Sequence, residues 1–350
     1  MRINQAHVRA IAVDFEGVMP ATHVVVRLRT DAGIEGLGSA SRITPRNLKP
    51  MVALVEAFAE SLVGADPTAP EAIHARLFAS PLGAPVAGIE RRAASALDVA
   101  CWDLAAKAAD VPLHRLLGGF RDRLPVSANW RLMPGGDRTA LARHLDDLLA
   151  RGFRTVKCPC GLVPLDQAID HVRFVRERLG AGIGLIVDGN FAWGVRDALR
   201  FAEATRDCDL TWLEDPVPAH DHAAMREVTD RAGVPTCAGE VYSQVHEFVP
   251  LLEGHCSDIV MIDQDLGLTG FRKVAALAEA HGRPVVNHLA PEVLAHALAA
   301  VPNGLIVGLV PWALPLYREP PVIEQGELVL SERPGLGLTL DERVWASGAT

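Results

Sequence analysis

The chain has 350 residues, of which 49% are hydrophobic and 22% are charged, with 30 glycines and 24 prolines. This composition is typical of a folded globular protein and excludes collagen-like, coiled-coil and disordered chains. The 34 basic and 43 acidic side chains leave a formal net charge of −9. Because no run of Lys or Arg exceeds two residues, neither nucleic acid nor an anionic membrane surface is expected as a partner.

The longest apolar stretch, residues 305–317, contains two prolines and is shorter than the roughly 20 residues that a membrane-spanning helix needs. The N-terminus alternates like a strand and lacks the basic and apolar regions of a secretory signal. We therefore expect a cytoplasmic protein whose six cysteines are reduced. Cys158 and Cys160 have no second Cys or His pair at finger spacing, which argues against a zinc site.

The first 120 residues predict a small α+β domain. Residues 1–40 alternate and are rich in β-branched side chains, with a turn at Asp31-Ala32-Gly33, so we expect an antiparallel meander. Helical periodicity follows over residues 48–63, 70–78 and 89–109. Three helices should therefore pack on the meander. We expect this unit to end near Gly118-Gly119.

Beyond residue 120, short apolar runs alternate with amphipathic helices such as 137–151, 165–179 and 194–205. The predicted strands are Leu124–Trp130, Thr155–Cys158, Leu185–Asp188, Thr211–Glu214, Thr236–Glu240, Ile259–Asp263, Val285–His288 and Leu305–Val310. Eight strands at this spacing fit a closed parallel barrel. An open nucleotide-binding sheet usually has a Gly-rich phosphate turn after its first strand, and RLMPGGDR after Trp130 lacks that motif. No segment is assigned to an organic cofactor.

Ionisable side chains end six of the predicted barrel strands: Lys157, Asp188, Glu214, Glu240, Asp263 and His288. They follow one another at intervals of 23 to 31 residues, which corresponds to one strand–helix unit. A parallel barrel points the C-terminal ends of its strands at one mouth, so these side chains should converge on one cavity. Charged groups that end buried strands are costly unless they are paired or bind a metal.

Three successive strands contribute Asp188, Glu214 and Glu240. Three carboxylates without a thiolate or an imidazole suit Mg²⁺ or Mn²⁺ better than zinc. Any one of these acids could instead cap the following helix or pair with an arginine, but three in register favour a metal site. On the next two strands, Asp263 and His288 can meet as a dyad in which the carboxylate fixes the tautomer of the imidazole and raises its basicity. We therefore expect His288 to be a general base, although a lone His after an apolar run is more often structural.

Seven segments match the pattern of one family: ALDVACWDLAAKAADVPLHRLLGG (96–119), VDGNFAW (187–193), WLEDPVP (212–218), AGE (238–240), VMID (260–263), NHLAPEVLAHALAA (287–300) and PGLGLTLDE (334–342). Through them the sequence resembles the mandelate racemase/muconate lactonizing enzyme family of the enolase superfamily over essentially its whole length. The resemblance implies an α/β fold: a modified (β/α)7β TIM-type barrel at residues 121–317, with an N-terminal α+β capping domain at 1–120 that is completed by the C-terminal tail, 318–350.

The resemblance also implies roles for the strand-end residues and one bound Mg²⁺. Asp188, Glu214 and Glu240 fall on the metal-ligand positions, and His288 with Asp263 falls on the dyad of the mandelate racemase subgroup. The implied chemistry is removal of the proton α to a carboxylate, with the metal stabilising the enediolate. The implied partner is a small-molecule carboxylate, and the implied assembly is a homo-oligomer.

Two departures from the family pattern bear on the reaction. Pro159 replaces the second lysine of the usual strand-two K-x-K motif, so racemisation by direct proton transfer lacks a base on the second face. Gly308 stands where strand eight often has a glutamate. A β-elimination needs only His288, which takes the α-proton and returns it to the departing hydroxyl. We therefore expect a Mg²⁺-dependent dehydratase, a lyase, acting on a sugar acid or related 2-hydroxy carboxylate.

Two other functions stay open. A racemase or epimerase would use Lys157 against His288, whereas in a dehydratase Lys157 would neutralise the substrate carboxylate. A non-catalytic binding protein on a decayed barrel is also conceivable, but the intact metal acids and the intact His288 argue against it. The loop after Asp263 is about two residues shorter than usual, which leaves Asp265 as a weaker candidate for the dyad.

Substrate contacts are expected at the barrel mouth and from the capping domain. Asn190 and Trp193 match the family's VDxNxxW pattern. The early loop Phe15 to His23, the loop around Arg42, and Trp130 with Arg131 should select the substrate. Arg42 or Arg131 would pair with a substrate hydroxyl or distal carboxylate, unless each is only a solvated charge.

Overall fold

The computed structural model describes residues 1–17, 19–79 and 86–349. One residue of the predicted substrate-selecting loop, Val18, lies outside the described residues, and so does Thr350 at the end of the predicted tail.

The N-terminal part is an antiparallel sheet covered by helices. Its strands, β1 (Ile3–Phe15), β2 (Met19–Thr30) and β3 (Glu35–Ile43), pair in that order. Its helices are α1 (Leu48–Ser61), α2 (Pro70–Phe78), α3 (Ile89–Ala108) and α4 (Leu113–Leu117). The apolar side chains of this sheet and of α1 to α3 form one buried cluster. The predicted meander and its three helices are therefore present.

The predicted early loop between Phe15 and His23 has a different form. β1 continues to Phe15 and β2 begins at Met19, and these two residues pair across the strands. The described residues of this segment therefore belong to the end of a long hairpin, because the alternating pattern of the meander continues on both strands.

Strand β3 lies unusually close to α3. A Cβ atom at Gly38 would lie 1.9 Å from the carbonyl oxygen of Ala96, and one at Gly36 would lie 2.4 Å from that of Ala100. Only glycine permits this approach. It fixes the end of β3, and with it Arg42, against the helix that also carries Arg92.

The second part is a closed barrel of eight parallel strands. These are β4 (Arg123–Ala128), β5 (Thr155–Pro159), β6 (Gly184–Asp188), β7 (Trp212–Glu214), β8 (Thr236–Ala238), β9 (Ile259–Asp263), β10 (Val285–His288) and β11 (Val307–Leu309). Neighbours pair in order from β4 to β10, and β11 returns to pair with β4. The helices between them are α5 (Arg138–Ala150), α6 (Leu165–Leu179), α7 (Val195–Ala204), α8 (His222–Arg231), α9 (Phe248–Glu253), α10 (Gly267–Ala280) and α11 (Pro291–Ala300). Seven strand–helix units and a final strand confirm the predicted (β/α)7β barrel.

The seam between β10 and β11 is closed in two ways. The backbone of Val285 bonds to Asn303 and Leu305, just before β11. Higher up, the buried side chain of Asn287 accepts a hydrogen bond from the Gly308 N–H at 2.8 Å and donates to the Gly308 carbonyl at 3.1 Å. Next to His288, this side-chain amide therefore replaces the backbone hydrogen bonds that would otherwise join β10 and β11.

The C-terminal tail contacts both parts. Strands β12 (Val322–Glu324) and β13 (Glu327–Val329) form a hairpin, and β13 pairs antiparallel with β4. Helix α12 (Glu342–Ala346) lies on the cap sheet, where Glu342 is 2.7 Å from Arg27. The division at residues 1–120, 121–317 and 318–350 stays a prediction about folding units, since residues 318–350 are shared between the two.

Inside the barrel, the lower layer is apolar. It consists of Ile186, Trp212, Cys237, Ile259, Met261, Val286 and Ile306, all buried. The opposite faces of the strands pack against the helices in the largest apolar cluster of the chain. All six cysteines are buried free thiols, as expected from the sequence. Among the described helices, none is both long and apolar enough to cross a bilayer.

Candidate active site

Carboxylates gather at the C-terminal ends of β6, β7 and β8. Asp188 and Glu214 are register partners across the β6–β7 ladder, so their side chains lie side by side on the inner face. Glu240 follows β8 by two residues and is half-buried. Carboxylate oxygens of Glu214, Asp215 and Glu240 lie within 4.8 Å of one another. The structure thus brings two of the three predicted metal acids together with Asp215, which strand periodicity alone did not select.

Asp188 lies outside that close group and is linked to it by Lys157. The Lys157 ammonium donates to Glu214 Oε1 and lies 3.5 Å from Asp188 Oδ2. Burial would lower the pKa of Lys157, but the negative charges of Glu214, Asp188 and Glu240 outweigh it and raise the pKa above its usual value. These contacts favour the charged, protonated form of Lys157. The second oxygen of Glu214 accepts a hydrogen bond from Trp212 Nε1 at 3.2 Å.

The carboxyl oxygens of this acid cluster suit a divalent cation. Asp215 is completely buried, and among the described residues neither of its carboxylate oxygens has a hydrogen-bond partner. Burial and the charges of Glu240, Glu214 and Asp188 raise its pKa well above the usual value. Four carboxyl groups thus face the single ammonium of Lys157, and the available ligand atoms are oxygens, which Mg²⁺ prefers.

The predicted dyad residues are in contact. His288 and Asp263 are register partners on β10 and β9, and His288 Nδ1 lies 2.5 Å from Asp263 Oδ2. Burial opposes ionisation of both groups, but their contact lowers the pKa of Asp263, while Glu240 and Asp263 raise the pKa of His288. With Nδ1 bonded to Asp263, the atom that faces the acid cluster is Nε2, 3.1 Å from Glu240 Oε2.

Arg42 lies at the site but is already paired. Its Nη2 is 3.0 Å from Asp263 Oδ1 and 3.0 Å from Asp265 Oδ2. Asp265 also accepts from Arg92, with Nη2 at 3.0 Å. Asp265, the weaker candidate for the dyad, is thus held by two arginines, and the dyad contact of His288 is with Asp263.

Asn190 and Trp193 organise the loop behind Asp188. The backbone N–H of Asn190 donates to Asp188 Oδ1 at 2.8 Å, and its side-chain oxygen accepts from the Gly161 N–H at 3.3 Å. Trp193 is buried and stacks on Phe201, with ring centroids 4.6 Å apart. Asn190 therefore supports an acid of the cluster, whereas Trp193 packs behind it.

Trp130 and Arg131 lie away from the acids. Trp130 is only 3% exposed and packs edge-on against Phe15 and Phe153. Arg131 is 38% exposed, its Nη1 lies 3.4 Å from Glu16 Oε2, and it lines an outer cavity of about 590 Å³ that the Asp137 loop and α5 border.

Asn129, the residue directly after β4, faces the barrel interior together with Ser127. Leu124, Val126, Ala128 and Trp130 belong to the cluster between strands and helices, so the alternate residues Ser127 and Asn129 face inward. Alternation along the predicted strand is the signal that selects Asn129 rather than Trp130 for the inner face.

Both departures from the family pattern lie at this mouth. Pro159 ends β5 opposite Asp188 and offers no amine. At Gly308 on β11, a Cβ atom would lie 2.8 Å from the side-chain amide of Asn129. The space at Gly308 is therefore already occupied by Asn129, and a larger side chain there would displace it.

Two family models match the chain: the mandelate racemase/muconate lactonizing enzyme N-terminal domain over residues 2–118, and the enolase C-terminal domain-like model over 140–344. The L-talarate/galactarate dehydratase of Salmonella typhimurium is 30% identical over 325 residues, covering 91% of this chain and 81% of that protein. The structure of an L-talarate dehydratase from Polaromonas sp., complexed with Mg and L-glucarate, has a TM-score of 0.92 at 28% identity and covers 100% of this chain and 98% of that one. A racemase from Streptomyces coelicolor with bound magnesium has a TM-score of 0.90 at 28% identity, covering 99% and 100%.

Proposed function

The chain belongs to the mandelate racemase/muconate lactonizing enzyme family of the enolase superfamily, and on this premise we propose that it is a Mg²⁺-dependent dehydratase of a sugar acid or related 2-hydroxy carboxylate. The reaction removes water from the acid and yields a 2-keto-3-deoxy acid. The observation that carries the proposal is the contact of His288 with Asp263 beside Glu240, which places a basic imidazole next to a cluster of carboxylates at one barrel mouth.

The proposed ligands of the metal are Asp188, Glu214 and Glu240. The β6–β7 register supports this set, because it puts Asp188 and Glu214 side by side on the inner face, and Glu240 shares the cluster. Mg²⁺ or Mn²⁺ bound there supplies positive charge to the substrate carboxylate while the neighbouring carbon loses its proton. Asp215, next along the chain from Glu214, is the competing candidate.

His288 is proposed as both base and acid. Asp263 holds Nδ1, so Nε2 is the atom that takes the proton from C2. The electron pair of that C–H bond forms the C2–C3 double bond as the C3–O bond breaks. His288 then returns its proton to the departing hydroxyl, which leaves as water. The raised pKa of His288 supports its role as the proton acceptor.

Lys157 supports elimination rather than epimerisation. Its ammonium is fixed between Glu214 and Asp188, and a charged ammonium cannot take a proton. We assign it the neutralisation of the substrate carboxylate. Similarity to the Streptomyces coelicolor racemase keeps epimerisation as the second candidate, in which Lys157 would have to act as a base.

The other predicted substrate residues receive narrower proposals. Asn190 supports Asp188 at the mouth, and Trp193 and Trp130 shape the wall by packing. Arg131 remains available for a distal group of a long substrate. We further propose a homo-oligomer that works in the cytoplasm on small carboxylates; the six buried free thiols are typical of a reducing compartment.

Incubating the Mg²⁺-loaded enzyme with a panel of acid sugars in D₂O tests the function. Elimination predicts a 2-keto product with deuterium at C3 when its enol ketonises. Epimerisation predicts no keto product, but deuterium at C2 with inversion. If no acid of the panel gives either product, the proposed activity is wrong.

A further inference from the structure

The end of β3 in the cap reaches the carboxylate of the proposed dyad. Arg42 Nη2 lies 3.0 Å from Asp263 Oδ1, while the other oxygen of Asp263 bonds to His288. The backbone N–H of Asp265 also donates to Asp263 Oδ1, at 2.8 Å. The carboxylate is therefore held between a residue of the cap and the imidazole of the barrel.

The position of Arg42 depends on an unfavourable backbone conformation. Its φ angle is +55°, a left-handed conformation that a non-glycine residue keeps only where the surrounding structure imposes it. Here the side chain of Asn47 donates to the Arg42 carbonyl at 3.3 Å and accepts from the Thr44 N–H at 2.6 Å. This turn holds Arg42 toward the barrel.

The cap docks on the chain segment that begins with Asp263. Gln264 donates to the carbonyl of Ser39 at 2.6 Å, and Asp265 pairs with Arg42 and Arg92. Farther along, Asp98 of α3 accepts from the hydroxyl of Thr269 at 2.7 Å. The polar contacts that seat the cap therefore follow directly from the residue that orients His288.

We propose that Arg42 is a positioning residue: seating of the cap orients Asp263 and, through it, the ring of His288. A single nitrogen, Nη2, bridges Asp263 and Asp265, which would otherwise repel each other across two residues. Without it, the Asp263 carboxylate keeps the backbone N–H of Asp265 as a donor opposite His288 but loses the charged one. The inference rests on the proposed role of His288 as the base, and it replaces the expected role of Arg42 in binding substrate.

Three variants test this inference in the Mg²⁺-loaded full chain. Arg42→Met should lower kcat for the 2-keto product about 10- to 100-fold, the usual cost of losing a partner of a functional side chain, with little change in KM. Arg42→Lys should recover much of the loss, because an ammonium can occupy the place of Nη2. Arg92→Met is the matched control: it removes a cap contact to Asp265 without touching Asp263, so it should lower Tm but not kcat.

A second measurement needs neither substrate nor metal. In protein labelled with ¹⁵N-histidine, the His288 resonance is identified by its loss in His288→Asn. In the wild type and in Arg92→Met its Nδ1–H should be hydrogen-bonded to Asp263 and protected from exchange with solvent, whereas in Arg42→Met this proton should exchange faster. If Arg42→Met does not fold, Arg42→Gln, which keeps a donor without the charge, takes its place in both measurements.

Several results would overturn the inference. Wild-type kcat and an unchanged His288 spectrum in Arg42→Met would show that Arg42 does not position the dyad. Equal losses of kcat in Arg42→Met and Arg92→Met would reduce its role to cap docking, and a raised KM with normal kcat would return it to substrate binding. In each case, loss of activity in His288→Asn leaves the proposed function standing. A wild type without turnover contradicts the function instead, and the spectrum still tests Arg42.

Discussion

The lower layer and the mouth of the barrel are built from the same strands, two residues apart, yet they differ completely in chemistry. Ile186 precedes Asp188 on β6, Met261 precedes Asp263 on β9, and Val286 precedes His288 on β10. Residues two apart on a strand share a face, so each strand presents first an apolar and then an ionisable side chain to the interior. Stability and chemistry are thus separated by about one side-chain layer.

Burial of the lower layer stabilises the folded state, whereas burial of the carboxylates at the mouth destabilises it. Burying an aliphatic side chain of the lower layer stabilises the fold by roughly 1.5–3 kcal/mol. The mouth instead buries carboxylates whose desolvation is unfavourable unless they are paired, and within the part of the chain that the structure describes Asp215 has no hydrogen-bond partner. Substitutions in the lower layer should therefore reduce stability, whereas substitutions at the mouth should reduce activity or metal binding.

The largest expected effect separates the two layers on β10. His288→Asn should lower kcat and C2-proton exchange by about 10²- to 10⁴-fold, the range for loss of a general base, with little change in stability. Val286→Ala should do the reverse, reducing the free energy of unfolding by about 2 kcal/mol while keeping kcat. Exchange of the C2 proton with deuterium measures the loss of the base, and denaturant titration measures the change in the free energy of unfolding. A His288→Asn protein that still exchanges the proton would remove His288 as the base.

The next effect concerns which acids hold the metal. Asp188→Asn should weaken Mg²⁺ binding about 100-fold, on the scale of losing one partner of a buried charge interaction. Asp215→Asn should weaken it less and should stabilise the metal-free protein, since a buried carboxyl without partners becomes neutral. Calorimetric titration with Mg²⁺ compares them. If Asp215→Asn loses as much affinity as Asp188→Asn, then Asp215 is a ligand and the set chosen from the sequence is wrong.

The smallest effect comes from a buried acid outside both layers. Glu292, in the first turn of α11, is 3% exposed, and its Oε2 has no hydrogen-bond partner in residues 1–17, 19–79 and 86–349. Burial raises its pKa from 4.5 to about 7. Between pH 4.5 and about 7, the Glu292 carboxyl keeps a proton in the folded state that it has lost in the unfolded state. This group therefore makes stability fall as the pH rises from 4.5 to about 7. Glu292→Gln should remove the Glu292 contribution to this fall and gain about 1–3 kcal/mol at pH 8, while the contribution of Asp215, whose pKa is also raised, stays.

A second buried group provides an internal control for that experiment. Burial lowers the pKa of His296 from 6.5 to about 3. Here the unfolded state binds the proton first, so stability falls as the pH drops below 6.5. Glu292→Gln should leave this acid limb unchanged in urea titrations across the pH range. A Glu292→Gln protein that is no more stable than the wild type at pH 8 would show that Glu292 is already ionised at no cost.

The residues at the mouth differ in how far local pattern identifies them. Asp188, Glu214, Asp263 and His288 each end an apolar run, so strand periodicity alone places them at one barrel mouth. Asn129 is predictable in principle from the alternation of β4. The pairing of Arg42 with Asp263 is not, because the two residues are separated by 221 positions and an arginine at the end of a strand has the same local pattern whether it is solvated or paired.

The amino-acid sequence by itself determined the eight barrel strands, the capping meander with its helices, and the ring of ionisable strand ends, because these depend on periodicities of two and 3.6 residues that are local to each segment. The tertiary structure alone decided that Lys157 bridges Asp188 and Glu214, that Asp215 joins the acid cluster, and that Arg42 contacts the dyad. Such contacts depend on how separately folded segments dock and on which charges remain uncompensated once water is excluded, and neither quantity is a property of any single stretch of chain.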